Sequence, residues 1–392
     1  MSARVLIHVQ HLLGTGHLRR AAALAQALAD AGLAVELMSG GFPVGGIDFG
    51  GVKATQLSPA RAADATFKPI LGIDDRPIDA AWKAARRAAV LARFDDFAPD
   101  VLITELFPFG RRMFAFELMA LIEAAHARAK RPLILASLRD VLTRSDDRQK
   151  SDESVARTIR FYDRVLVHGD PKLIALEASF PAAPRLGGRL VYTGYVAGPP
   201  APSVADRAGE GEIIVSAGGG AVGGRLLGAA IEARARLSGA GAPEGSRTWR
   251  VLVGGNLPAT EMVALGRAAG PGLVVEPARA DFPGLLRRCH LSVSQAGYNT
   301  VVDLLCAGAR AVLVPFAEGG ESEQTLRARA LAARGRAEVV SEAELTPARL
   351  ADAIRREAAS PPPSPSSVRL DGAEESARLI ARWLGERQSA AS

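Results

Sequence analysis

Along the first half of the chain, short apolar runs alternate with longer stretches in which apolar residues recur at helical spacing. Arg4–Gln10, Leu33–Ser39, Asp100–Thr104, Pro132–Leu138 and Arg164–His168 predict strands, and His17–Ala31 and Arg111–Lys130 predict helices. Gly40-Gly41 closes the second strand, while Asp48–Asp79 has no clear period and is expected to be irregular. Strands alternating with helices of this length make a parallel sheet with right-handed crossovers.

The rhythm breaks at Gly198-Pro-Pro-Ala-Pro and resumes after Gly211. Glu212–Ala217, Arg250–Val253, Leu273–Glu276, Leu291–Ser294 and Ala311–Val314 predict strands, with helices over Arg225–Leu237, Tyr298–Cys306 and Glu321–Arg334. A proline- and serine-rich stretch from Ser360 then detaches one last helix, Ala373–Glu386. The expected fold class is α/β, with two Rossmann-like domains facing a central cleft. They span residues 1–197 and 198–359, and a proline-rich linker with the C-terminal helix fills 360–392. Open parallel sheets bind ligands at the carboxyl ends of their strands, so candidate chemistry belongs at the strand-to-helix turns.

Composition narrows the class. A chain of 392 residues exceeds the ~250–300 at which one core stops growing, in keeping with two domains. With 48% hydrophobic and 23% charged residues, a disordered or collagen-like chain is excluded. Two cysteines, Cys289 and Cys306, exclude a disulfide scaffold and favour a reducing compartment. The most apolar long stretch, Met113–Ala125, is interrupted by Glu117 and Glu123, so no membrane span is expected. The N-terminus shows no signal-peptide pattern, and a cytoplasmic location is the expectation. A net charge of +6 suits anionic partners but is too dispersed for a nucleic-acid binder.

Three turns carry candidate chemistry. The first is Gly14-Thr15-Gly16-His17, where glycines admit a ligand to the backbone and a helix N-terminus attracts an anion. The His17 imidazole can accept a proton at neutral pH, although a tight turn with a packing histidine explains these letters equally well. Arg19 and Arg20 follow, one expected to face the ligand and one the solvent. The second is Ser216-Ala-Gly-Gly-Gly220 with Gly223-Gly224, in which Gly218, Gly219 and Gly220 offer N–H donors to a phosphate. Its spacing is not that of a dinucleotide fingerprint, and no acidic residue ends the next strand, so a nicotinamide cofactor is not expected. The third and most specific is Gln295-Ala-Gly297-Tyr298-Asn299-Thr300-Val-Val-Asp303, with Glu323-Gln324 beyond the next strand. Asn299, Thr300 and their N–H groups would meet a diphosphate, Asp303 the ribose hydroxyls, and Glu323-Gln324 a pair of vicinal sugar hydroxyls.

The two-domain layout, Gly14–His17, Gln295–Asp303 and Glu323-Gln324 together resemble the GT-B glycosyltransferases, and within them family 28, which includes the lipid-II-forming N-acetylglucosaminyltransferases. The plant-type signature of that fold, His-Cys-Gly-Trp-Asn-Ser-x-x-Glu, runs along this chain with Gln295 at its His and Gly297 at its Gly. Tyr298 then stands at its Trp, Asn299 at its Asn, Thr300 at its Ser and Asp303 at its Glu, so that Gln295 and Asp303 depart from it. The resemblance implies inverting transfer of a hexose-type sugar from a UDP-sugar to an acceptor hydroxyl, with no cofactor and no obligatory metal. It puts the donor in the second domain, the acceptor in the first, and the last helix back on the first domain. His17 is then the implied base. Gly218, Gly219, Gly220, Gln295, Gly297, Asn299 and Thr300 hold the diphosphate, Asp303 the ribose, and Glu323 and Gln324 the donor sugar. Gly14, Thr15, Gly16, Glu105, Arg111 and Arg139 line the acceptor side, where Arg111-Arg112 would meet an acceptor phosphate.

Bland readings compete throughout. Glu105, Arg139, Asp140, His168 and Asp170 stand at predicted strand ends, where loop ion pairs explain them as well as ligands do. His8, His11, His126 and His290 read as packing or surface residues. The run from Phe107 to Phe116 mixes aromatics with Arg111 and Arg112, a patch that would suit an anionic membrane bearing a lipid-linked or glycan acceptor. A buried helix with a charged edge explains that run better. Two other activities share the proposed site: a UDP-sugar hydrolase, which would release free sugar without an acceptor, and a non-catalytic sugar-nucleotide-binding subunit, which would bind UDP and turn over nothing. An epimerase of the same fold is less expected, because no acid/base set for it is identifiable.

Overall fold

A computed structural model describes residues 2–64, 68–143, 147–198, 206–218, 223–255, 257–317, 322–364 and 367–391. Its contacts divide the chain into Met1–Gly198 with Val368–Ser392, and Pro199–Ser367.

In the first unit the elements run β1 (Arg4–Val9), α1 (Gly16–Asp30), β2 (Ala34–Ser39), β3 (Lys53–Gln56), β4 (Arg61–Ala62), β5 (Ile70–Leu71) and α2 (Ala80–Phe97). They continue with β6 (Val101–Glu105), α3 (Ala115–Ala127), β7 (Leu133–Arg139), α4 (Arg148–Phe161), β8 (Arg164–His168) and β9 (Leu190–Tyr192). Among the described residues these make a seven-stranded sheet, ordered β3-β2-β1-β6-β7-β8-β9 and parallel at every pairing. Its central strands are buried on both faces, as the apolar runs require.

Several stretches differ from the sequence expectation. Within Asp48–Asp79, expected to be irregular, β3 adds to the sheet edge beside β2, and β4 pairs antiparallel with β5. All four side chains of β3 keep some exposure, so the strand leaves no apolar signal. The helix expected from Arg111 begins as a short 3-10 turn at Arg112 and becomes α-helical only at Ala115, because Arg111 itself is left-handed, at φ 58°. Helices α2 and α4 bury few apolar side chains and leave little periodicity to read. Each is started by an aspartate whose side chain accepts a backbone N–H of the first turn: Asp79 from Trp82, and Asp147 from Lys150.

The second unit holds β10 (Ile213–Ser216), α5 (Gly224–Gly239), α6 (Pro243–Ser246), β11 (Trp249–Val253), α7 (Ala259–Gly266), β12 (Leu273–Pro277) and α8 (Phe282–Arg288). After these come β13 (Leu291–Ser294), α9 (Tyr298–Ala307), β14 (Ala311–Leu313), α10 (Glu323–Ala332), β15 (Glu338–Val339) and α11 (Pro347–Ala359). The parallel sheet runs β12-β11-β10-β13-β14-β15. Its α11, absent from the sequence expectation, is capped by Thr346 and buries Leu350, Ala351, Ala353 and Ile354 against the same core as α5. Glu321, the expected first residue of the helix seen as α10, lies outside the described residues, as do residues 199–205 of the expected linker.

The last helix, α12 (Gly372–Ala391), belongs to the first unit and packs along α1. Its Ala377, Leu379, Ile380 and Trp383 share a core with Val5, Ile7 and Leu24. Two backbone bonds fasten its entry, Tyr195 N–H to Arg369 O (2.8 Å) and Gly372 N–H to Tyr195 O (2.9 Å). A Cβ at residue 372 would lie 2.2 Å from Gly194 O, which explains the glycine. No helix among the described residues is long and apolar enough to cross a membrane.

Candidate functional site

At the carboxyl ends of β6, β7 and β8, polar side chains converge inside an otherwise apolar sheet. Register sets Glu105, the last residue of β6, opposite Ser137 on β7, and sets Arg139 opposite His168 at the end of β8. The glycine turn after β1 delivers His17 in the first turn of α1, and one helical turn later Arg20 faces the same way. His17 Nδ1 lies 2.9 Å from Glu105 Oε1, and the Arg20 guanidinium also bonds that oxygen. Ser137 Oγ donates to Glu105 Oε2 at 2.5 Å. Behind Ser137, His168 Nε2 is 3.0 Å from its hydroxyl, and His168 Nδ1 is 2.9 Å from Thr193 Oγ1.

The charges in this cluster follow from their neighbours. Burial pushes the Glu105 carboxyl up, but Arg20, His17 and Ser137 pull it further down, leaving it well below its ordinary value and ionised. Burial takes His17 from 6.5 down to about 3, against the raising effect of Glu105 and with help from the charges of Arg111, Arg139 and Arg20. His17 Nδ1 lies between Glu105 Oε1 at 2.9 Å and Arg20 Nη2 at 3.2 Å; with its proton on Nδ1, towards the ionised carboxylate, the Nε2 lone pair can accept one. The ring keeps 12% of its surface exposed. Arg111 donates from Nε to Gln10 O at 2.7 Å, and no neighbouring atom would obstruct even a Cβ at Gly14. Glu105 is thus buried within the first unit, bonded to His17 and ion-paired with Arg20.

In the second unit the candidate donor residues gather at the carboxyl ends of β10, β13 and β14. Gly218, at φ 73°, donates its N–H to Ser216 Oγ, while Gly219 and Gly220 lie outside the described residues. Gly223 opens α5 at φ 152°, where a Cβ would strike that of Ala217 at 2.2 Å. Gly297 caps α9, and Asn299 and Thr300 sit half-buried in its first turn with Asp303 one turn on. A pocket of about 180 Å3 is lined by Gly223, Gly224, Arg225, Glu261, Gln295 and Phe316, among others. Gln324 Oε1 accepts N–H groups of Ala296 (3.0 Å) and Phe316 (3.2 Å), tying the start of α10 to the loops after β13 and β14. Glu323 is buried, 3.4 Å from Arg327.

Sequence reasoning missed a second charged cluster beneath β1. Arg86 and Glu117 are fully buried and paired at 3.0 Å; His8 is 3.1 Å from Glu117, and Arg86 donates to Gln10 Oε1 at 2.9 Å. The one available signal was Glu117 interrupting an apolar helix. Its partner lies on α2, which has no readable period. Arg112 bonds Lys150 O and Ser154 Oγ in its own unit. Phe107 and Phe114 are in the core with Phe109 and Phe116 against it, so the buried reading of that aromatic run holds.

The fold is shared with sugar-transferring enzymes of known structure. Acinetobacter baumannii MurG superposes with a TM-score of 0.60 at 17% identity, covering 97% of this chain and 99% of that one. The calicheamicin glycosyltransferase CalG4 does so with a TM-score of 0.60 at 15% identity, covering 99% and 98%. The chain thus shares the GT-B fold of these enzymes. Residues 252–380 match the glycosyltransferase family 28 C-terminal domain. Over 381 residues, 93% of this chain and 91% of the relative, it is 29% identical to the UDP-N-acetylglucosamine--N-acetylmuramyl-(pentapeptide) pyrophosphoryl-undecaprenol N-acetylglucosamine transferase of Phenylobacterium zucineum (strain HLK1). The transferase of the same name from Rhodospirillum centenum (strain ATCC 51521 / SW) is 34% identical over 117 residues, 29% of this chain and 31% of the relative.

Proposed function

We propose that the chain moves a hexose-type sugar from a UDP-sugar to an acceptor hydroxyl, with inversion, no cofactor and no obligatory metal. The observation that carries this reading is the His17–Glu105 pair, 2.9 Å apart, with the second ring nitrogen left to accept a proton. His17 Nε2 takes the acceptor O–H proton while that oxygen bonds the anomeric carbon. The bond from this carbon to UDP breaks, and UDP leaves with the electron pair through an oxocarbenium-like transition state.

UDP needs fixed donors for its developing charge more than it needs a proton. The glycine turn Gly218–Gly220, with Gln295, Gly297, Asn299 and Thr300 at the α9 N-terminus, is assigned the diphosphate, Asp303 the ribose, and Glu323 and Gln324 the donor sugar. Gly14, Thr15, Gly16, Arg111 and Arg139 are assigned to the acceptor, with Glu105 acting through His17. The acceptor to try first is the one in the Phenylobacterium relative's name, an N-acetylmuramyl-pentapeptide on pyrophosphoryl-undecaprenol. With it the protein would work in the cytoplasm, peripherally on the membrane.

UDP-N-acetylglucosamine and that acceptor, with EDTA present, should yield UDP and the lengthened glycan. His17→Ala should lose about 10²–10⁴-fold in turnover, the range a general base supplies. It should keep the UDP-induced rise in unfolding temperature, worth about 2.7 kcal/mol at a hundred times Kd. Normal turnover in His17→Ala sinks the base assignment. Equally fast release of UDP and free sugar without acceptor makes the protein a hydrolase, and UDP binding without turnover makes it a binding subunit.

A further inference from the structure

Behind the His17–Glu105 pair, hydrogen bonds continue through Ser137 to His168, and counting protons fixes their direction over these two steps. Ser137 Oγ has one proton, and at 2.5 Å from an ionised carboxylate it points at Glu105 Oε2. Its hydroxyl oxygen must therefore accept from His168, which places the His168 proton on Nε2. His168 Nδ1 lies 2.9 Å from Thr193 Oγ1, whose hydroxyl also reaches Gly194 O at 3.0 Å. Glu105, Ser137, His168 and Thr193 are all buried, at 3%, 1%, 0% and 0% exposure, so water does not compete for these bonds.

We propose that Ser137 and His168 are positioning residues for the His17 base, a reading that rests on the function assigned above. Each oxygen of Glu105 has its own partners: Oε1 takes His17 and Arg20, and Oε2 takes Ser137. The last torsion of a glutamate is soft, so a carboxylate held at one oxygen only can turn away from its histidine. Ser137 removes that freedom, and His168 keeps the Ser137 proton aimed at Glu105. Loss of either leaves a buried group unpaired and lets the His17 proton redistribute between its two nitrogens. Neither Ser137 nor His168 touches a substrate in this scheme; both act through Glu105.

The test uses the full chain labelled with nitrogen-15 histidine, with the His17 signals assigned by their loss in His17→Gln. Wild-type His17 should show the Nδ1–H tautomer. Ser137→Ala should move its ring shifts towards the average of the two tautomers. It should also lower kcat for UDP release from UDP-N-acetylglucosamine by about tenfold, part of the ~10²–10⁴ of a general base, with donor KM nearly unchanged. Ser137→Thr, which keeps the hydroxyl, should restore both. A folded Ser137→Ala with His17 still Nδ1–H and kcat unchanged overturns the proposal. Should that variant not fold, His168→Phe is measured in its place, and an unchanged tautomer and kcat there overturn the proposal equally. If His17→Gln itself turns over normally, the base assignment falls instead, a result the tautomer spectra do not depend on.

Discussion

Two buried imidazoles set how this protein meets acid. His17 and His168 are both lowered from 6.5 to about 3, chiefly by burial, so the folded protein keeps them neutral where the unfolded chain would protonate them. The unfolded state then binds more protons below pH 6.5, and stability falls with pH from there towards 3. Each histidine contributes a slope of up to about 1.4 kcal/mol per pH unit. Glu105 is also depressed and adds loss in the same direction at lower pH. Urea midpoints should accordingly drop between about pH 7.5 and about pH 5. A flat midpoint over that range would mean the two rings are not held neutral. The Arg86–Glu117 pair offers a second residue-scale prediction. Glu117→Gln leaves an uncompensated buried cation and should cost about 3–5 kcal/mol, read from the same denaturation curves. Of these residues, His17 was legible because a glycine turn announced it. Glu105 and His168 were legible only as strand ends, and Ser137 not at all, since strand register, invisible in one sequence, is what aligns it with Glu105.

At the scale of elements, what could be read was whatever carried an apolar rhythm. The central strands, α1, α5 and α9 were found close to their observed bounds, because each buries a regular set of leucine, valine or alanine side chains. The helices α2 and α4 were not, because their buried residues are few and include Arg86, Ser154 and Thr158. The helix α11 was not predicted although its Leu350, Ala351, Ala353 and Ile354 recur on one buried face. Each of these three helices is started by a side-chain cap, whose loss should be felt. Thr346→Ala, which removes the bond to Arg349 N–H, should destabilise by about 1 kcal/mol and lower the unfolding temperature. The entry of α12 is less forgiving. Gly372→Ala sets a methyl group against the Gly194 carbonyl, a backbone atom that cannot step aside, and should loosen α12 from α1. Faster amide exchange through Gly372–Ala391, compared with the wild type, is the measurement that checks it.

For the molecule as a whole, the GT-B fold rests on the two parallel sheets and their likeness to solved structures, while the match to the family 28 C-terminal domain covers residues 252–380. Sequence alone reached that fold through short motifs at strand ends, which the sheet topology then explains: parallel strands bring every such turn to one edge. The division of the chain has a consequence for the order of events at the ribosome. Because α12 completes the core around Val5, Ile7 and Leu24, the first unit lacks part of its interior until the second has been wholly synthesised. Domains ordinarily fold as they emerge, N-terminal first. Here the second unit is the one with all its elements available earlier, while the nascent first unit waits with an apolar strip of α1 uncovered. A chain stalled before Val368 would expose that strip, which makes it the segment a chaperone has reason to hold.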